Sequence, residues 1–132
     1  MEFWPTVLEN PTGNKTMDEF AVAIDNIFKI VFSRTLKNVS WKNTRLAQGN
    51  IMEEVTALRQ QPGKDILVGS PGLIIASLNL NLVDEFQLCV HPVIAGTGLQ
   101  LSKNLNNIVN FKLLKTKTFG CGAVTFYYEP KQ

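Results

Sequence analysis

Apolar positions along this chain recur with two periods, and the switches between them mark out most of its elements. Thr16-Met17-Asp18-Glu19 has the Thr-x-x-Glu form of a capping box, and Phe20, Ala23, Ile24 and Ile27 follow at helical spacing. A helix is therefore predicted, ending near Asn26–Ile27. The β-branched and aromatic run Phe28–Ser33 reads as a strand ending on Arg34-Thr35, and a weaker strand is expected around Trp41–Leu46. Asn50 with Glu53 repeats the capping logic, with Ile51, Val55 and Leu58 on one helical face and Gln61-Pro62-Gly63 as the stop.

Asp65–Val68 is short and continuously apolar after its first residue, as expected for a parallel strand covered on both faces. It runs through Gly69-Ser70-Pro71-Gly72 into a third helix, Pro71 to about Leu78, carrying Leu73, Ile74 and Leu78. Asn79–Asp84 turns the chain into a strand over Glu85–Val93, where Phe86, Leu88 and Val90 alternate with Glu85, Gln87 and Cys89. Residues 96–108 are loop-like. Phe111–Phe119 and Ala123–Glu129 flank Gly120-Cys121-Gly122, a glycine-bearing three-residue hairpin loop. Residues 1–15, rich in Pro, Asn, Thr and Gly, read as irregular. Three helices alternating with the first of about six strands, then an antiparallel end, describe a mixed α/β domain.

The junction at Gly69–Gly72 carries the most chemistry. A strand ending on the first turn of a helix presents unpaired N–H groups and the positive end of the helix dipole together. Ser70 suits the N-cap, Pro71 the first helical position, and Gly69 lets a ligand approach the backbone. Such a turn can hold a phosphate or diphosphate, although many similar junctions bind nothing.

Composition narrows the classes. The 132 residues fit one domain, 1–132, and the net charge of +2 without a basic run does not suggest nucleic acid. No apolar run is long enough for a membrane span, and the start lacks the pattern of a signal peptide. Cys89 and Cys121 follow no metal spacing, which points to a reduced, cytoplasmic protein. The single histidine, His91, excludes a multi-histidine metal centre; its neighbours read as a buried strand ending at Pro92. No metal site is expected. Asp84 is read as capping the turn before a strand, and Asp18, Glu19, Glu53 and Glu54 as helix-start and surface charges.

Four segments occur in an order that resembles a known family: Lys29–Leu36, Gly63–Leu73, Leu82–Gly98, and Lys115–Gly122 followed by Tyr127-Tyr128-Glu129-Pro130. They are similar to the dihydrofolate reductase-like family that includes the reductase domain of bacterial riboflavin-biosynthesis deaminase-reductases, from about Trp4 to Pro130. The resemblance implies a three-layer α/β sandwich with a mixed, mainly parallel sheet and a C-terminal antiparallel hairpin. It implies NADPH as cofactor and a small pteridine- or pyrimidine-like substrate, as in 5-amino-6-(5-phosphoribosylamino)uracil reductases. Ser33, Arg34 and Thr35 match the stretch that approaches the adenosine 2′-phosphate. Val68, Gly69, Ser70, Pro71, Gly72 and Leu73 match the stretch beneath the diphosphate. Taken alone, Arg34 reads as a solvated charge at a strand end. No catalytic residue is assigned.

The chain also departs from the family. The leading strand, a helix, a second strand and a Gly-Arg-Lys-Thr-like turn find no counterpart before Met1, so the domain is expected to be N-terminally truncated. Phe28 stands where proline is frequent, and Ser102 where an apolar or aromatic residue is usual. Exposed strand edges would then favour strand exchange or a homodimer. Two further readings stay open: a non-catalytic dimeric remnant, and a binding module for another phosphorylated metabolite.

Overall fold

The computed structural model describes residues 3–131 and divides into two compact units, Met1–Asn50 and Ile51–Gln132. The first holds α1 (Phe3–Glu9), α2 (Lys15–Asn26), β1 (Lys29–Val31) and β2 (Thr44–Leu46). The second holds α3 (Ile51–Arg59), α4 (Pro71–Asn79), β3 (Phe86–Val90), β4 (Phe111–Thr118) and β5 (Val124–Pro130). The class is mixed α/β: β1 and β2 pair in parallel, and β3, β5 and β4 form an antiparallel sheet in that order.

In the first unit α1 replaces the irregular start expected from composition. Pro5 falls in the first turn, where a missing N–H costs nothing, and Trp4, Val7 and Leu8 share a helical face. Val7 is buried, and the Trp4 ring meets Phe20 of α2 edge-on at 4.8 Å. The cap of α2 also differs from expectation. Asn14 takes the N-cap, its Oδ1 accepting from the Thr16 and Met17 amides at 3.1 and 3.2 Å, which leaves Thr16 inside the helix. Thr12 donates its amide and hydroxyl to Asp18 Oδ1, both at 2.8 Å.

Those bonds, the hydroxyl foremost, hold the Asp18 carboxyl below its ordinary value of 3.8. A depressed folded-state value stabilises the fold above the unfolded value and is lost as pH falls through the folded one. Asp18→Asn should therefore melt earlier than wild type at neutral pH, with the difference vanishing in acid below 3.8. Thermal melts of both proteins across that range check it.

Lys29 closes the far end of α2. Its ammonium donates to the carbonyls of Ile24, Asp25 and Ile27 at 2.8, 3.2 and 2.9 Å and lies 4.4 Å from the Trp41 ring centre. Partial desolvation pushes it below the ordinary lysine value, with Asp25 pulling the other way. Trp41 Nε1 donates to Asp25 Oδ1 at 2.8 Å, and Asn43 sits at φ 54. The strand expected from Trp41 thus begins only at Thr44, because the three preceding residues are spent on the end of α2. The register is Lys29↔Thr44, Ile30↔Arg45, Val31↔Leu46.

In the second unit α3 buries Glu54, which is 6% exposed. This corrects its reading as a surface charge: with Ile51, Val55 and Leu58 at i, i+3, i+4 and i+7, position 54 falls on the inward face. The strand expected over Asp65–Val68 is not formed. No ladder partner flanks the segment among the described residues, and Leu67 is 80% exposed. An apolar run marks chain suited to a strand, but only a partner makes one.

The hairpin matches expectation. Phe119 N donates to Ala123 O at 2.8 Å and Gly122 N to Phe119 O at 2.9 Å, with Gly122 at φ 86. A Cβ there would also sit 3.3 Å from Pro92 Cγ. Gly122→Ala should cost about 1–2 kcal/mol from the left-handed backbone alone, measurable as a lowered denaturant midpoint with unchanged slope.

Candidate functional site

The approach to α4 is built from an extended segment that ends in a helix start. Ser70 occupies the N-cap at φ −104 and ψ 129, and Pro71 opens the helix. The first helical bond runs from Ile74 N to Ser70 O at 2.8 Å. The Ser70 side chain makes no capping bond, contrary to the role expected of it, so its hydroxyl stays available. Pro71 has no N–H to satisfy, which leaves the Gly72 and Leu73 amides as the orphan donors of the first turn. Among the described residues neither has an acceptor.

No acidic residue stands in the first turn of α4, whereas α3 has Glu53 and Glu54 there and α2 has Asp18. Gly69, Ser70, Pro71 and Gly72 are exposed, with Val68 and Leu73 half-buried on either side. A Cβ at Gly69 or Gly72 would meet nothing within 4 Å, and neither glycine has a positive φ. Neither backbone strain nor internal packing therefore demands glycine at these two positions.

The rest of α4 fixes that turn in place. Ile75, Ser77 and Leu78 are buried, while Leu73 and Ile74, expected on the inner face, are only half so. The helix ends in a Schellman arrangement: Leu82 N donates to Ser77 O at 2.9 Å and Asn81 N to Leu78 O at 3.1 Å, with Asn81 at φ 53. Asn79 then ties down the long loop, donating to Asn104 O and accepting from Asn106 N, both at 3.0 Å.

The second candidate group lies in the first unit, just beyond β1. Ser33, Arg34 and Thr35 are exposed and consecutive in one turn. Ser33 Oγ accepts from the Thr35 and Leu36 amides at 3.2 and 3.0 Å, which shapes the turn and leaves the hydroxyl proton free to donate. Arg34 has no hydrogen-bond or ion-pair partner among the described residues. Lys37, three residues on, is exposed and likewise without an acidic partner among them. It is a second cation of this loop that the sequence reading passed over, although its spacing from Arg34 was visible. Each of the two groups is thus formed within its own unit.

The remaining candidates resolve as structural. Asp84, expected to cap a turn, instead pairs with a side chain: its Oδ2 accepts from Arg59 Nη2 at 2.6 Å, and the same Nη2 donates to Leu82 O at 2.9 Å. His91 was expected to be buried at a strand end. It is exposed, one residue past β3, with Nε2 3.9 Å from Cys89 Sγ.

The RibD C-terminal domain model matches residues 2–125. The chain belongs to this family. It is 36% identical over 128 residues to the uncharacterized protein YyaP of Bacillus subtilis, covering 96% of this chain and 68% of that one. The uncharacterized protein YwjB of the same organism is 35% identical over 72 residues, covering 54% and 41%. Among solved structures, a putative riboflavin biosynthesis protein from a Shewanella species superposes with TM-score 0.71 at 18% identity, over 89% of this chain and 71% of that one. A pyrimidine reductase-like protein from Corynebacterium diphtheriae gives 0.58 at 18% identity, over 78% and 50%. These likenesses fix the fold as that of the RibD-type reductases. No helix among the described residues is long and apolar enough to cross a membrane.

Proposed function

We propose that this chain binds NADPH and serves as a reductase of a small ribosylated pyrimidine or pteridine-like heterocycle in the reducing environment of the cytoplasm. One observation carries the reading: an open turn at Gly69–Gly72 whose Gly72 and Leu73 amides have no acceptor among the described residues, with an uncapped Ser70 hydroxyl and no acidic residue in the first helical turn. That donor set fits a diphosphate, because amides at a helix start meet anionic oxygens with the dipole aligned. Arg34, with its planar fork unclaimed by any described carboxylate, fits a phosphate monoester such as the adenosine 2′-phosphate. Ser33 and Thr35 add hydroxyl donors to the same turn.

When bound, the cofactor supplies a hydride to the acceptor carbon. The chain's part is to hold the cofactor's phosphates and so fix the position of the reacting end. A proton must also reach the acceptor heteroatom. Asp84 does not deliver it, since its carboxylate is held by Arg59; solvent serves that role unless an acid is brought from elsewhere.

The direct assay incubates the protein with NADPH and 5-amino-6-(5-phosphoribosylamino)uracil and follows the product mass. Gain of two hydrogens with matching loss of NADPH is expected. Tight cofactor binding without any turnover of this or a pteridine substrate would reduce the chain to a non-catalytic binding protein.

A further inference from the structure

One face of the antiparallel sheet holds a nucleophile and a base that the cofactor reading leaves unused. Cys89 pairs across the sheet with Thr125, and Thr125 with Lys117, so the three form one row on one face. His91, two residues beyond Cys89, returns to the same face, its Nε2 3.9 Å from Cys89 Sγ. The thiol is free, and both residues are exposed.

Backbone contacts hold His91 where it stands. Its carbonyl accepts from Val93 N at 2.8 Å. Pro92, next in the chain, closes the space above the hairpin turn, where a Cβ on Gly122 would come within 3.3 Å of its Cγ. Cys121 supplies a contrast in the same chain. It is also free and exposed, but its thiol has no hydrogen-bonding partner among the described residues.

The surroundings are cationic. Lys117 lies in the Cys89 row, and Lys115 in the next row with Tyr127 and Gln87. Their ammonium groups stand 5.1 Å from the Phe119 ring centre and 4.6 Å from that of Tyr127, and neither has an acidic partner among the described residues. The Glu85 carboxylate, at the far end of this face, accepts from Gln87 Nε2 at 2.7 Å.

We propose that Cys89 is a nucleophilic thiol, with His91 as its base, that exchanges with a low-molecular-weight disulfide bearing carboxylates. His91 Nε2 takes the Sγ proton, and the thiolate attacks one sulfur of the disulfide. A new S–S bond forms to Cys89 as the reagent's own S–S bond breaks, and the departing thiolate takes the proton from His91. Cys89 is thereby oxidised to a mixed disulfide, and one half of the reagent is reduced to a thiol. Lys117 and Lys115 draw a carboxylate-bearing reagent to this face in preference to a cationic one. The proposal does not rest on the cofactor reading, and its test uses no cofactor.

The full chain is incubated with glutathione disulfide at neutral pH, quenched with acid and mapped by peptide mass, which gives a capping rate for each cysteine. Cys89 should cap roughly tenfold faster than Cys121, as a thiol beside a base does. His91→Gln should bring Cys89 down to the Cys121 rate and leave Cys121 unchanged, an internal sign that the fold persists. Cystamine, a cationic disulfide, separates charge from thiol chemistry: Lys117→Glu should slow glutathione disulfide and speed cystamine, each by about threefold. Equal rates at the two cysteines of the wild type would overturn the proposal. So would a Cys89 rate unmoved by His91→Gln, or the same response of both disulfides to Lys117→Glu.

Discussion

Gly72→Glu is expected to fold as well as wild type and to lose NADPH. The two effects have opposite signs, which makes the variant informative. A Cβ at position 72 meets open space and the backbone there is not left-handed, so the side chain enters without strain. Replacing glycine at a compatible site removes freedom from the unfolded chain, worth about 0.4–1 kcal/mol. A carboxylate in a first helical turn adds about 0.3–1 kcal/mol through the dipole. The melting temperature should therefore hold or rise. The same carboxylate would stand where a diphosphate rests on the Gly72 and Leu73 amides, repelling it and competing for its donors. Affinity should fall roughly a hundredfold or more, about 2.8 kcal/mol. Calorimetric titration beside a thermal melt reads both. Unchanged affinity would mean that this turn is only a helix start.

The second large effect is expected at Arg34. Its guanidinium has no protein partner among the described residues, so Arg34→Ala removes little that holds the fold together. If the side chain grips a 2′-phosphate, its loss should cost about 1.5–3 kcal/mol in NADPH binding, as for hydrogen bonds to charged groups, or roughly 10- to 150-fold. NADH lacks that phosphate and should be nearly unaffected. Comparing the two cofactors against wild type and variant isolates the contact. Equal loss for both would remove Arg34 from that role.

These two residues mark how far the chain's chemistry could be read without coordinates. Residue types and junctions were legible: Ser70-Pro71 does begin a helix, and Gly120-Cys121-Gly122 does turn the hairpin, with Gly122 in the left-handed region as a three-residue loop requires. Local sequence controls such features. What depended on competition or on distant partners was not legible. Asn14 and Thr16 are both sound caps, and the structure places the cap at Asn14, directly after Gly13 at φ 78. Glu54 looks like any first-turn acid until its phase relative to Ile51 and Leu58 is drawn, when it falls on the inner face. Asp84 gave no hint of Arg59, which is 25 residues away. Asp65–Val68 has the composition of a central strand, yet pairing belongs to neighbours that its own residues do not name. For the candidate site, the open approach at Gly69 was foreseen; the uncapped Ser70 hydroxyl, and an Arg34 with no partner among the described residues, needed atoms to be seen.

The central claim is a dinucleotide seated at the start of α4, and direct titration of the folded wild-type chain tests it first. Following intrinsic Trp fluorescence as NADPH and NADH are added separately, up to about 1 mM, the upper end of ordinary cofactor and substrate affinities, should give saturable binding that is clearly tighter for NADPH. Absence of any saturable change with either cofactor, in protein whose circular dichroism confirms the fold, would contradict it.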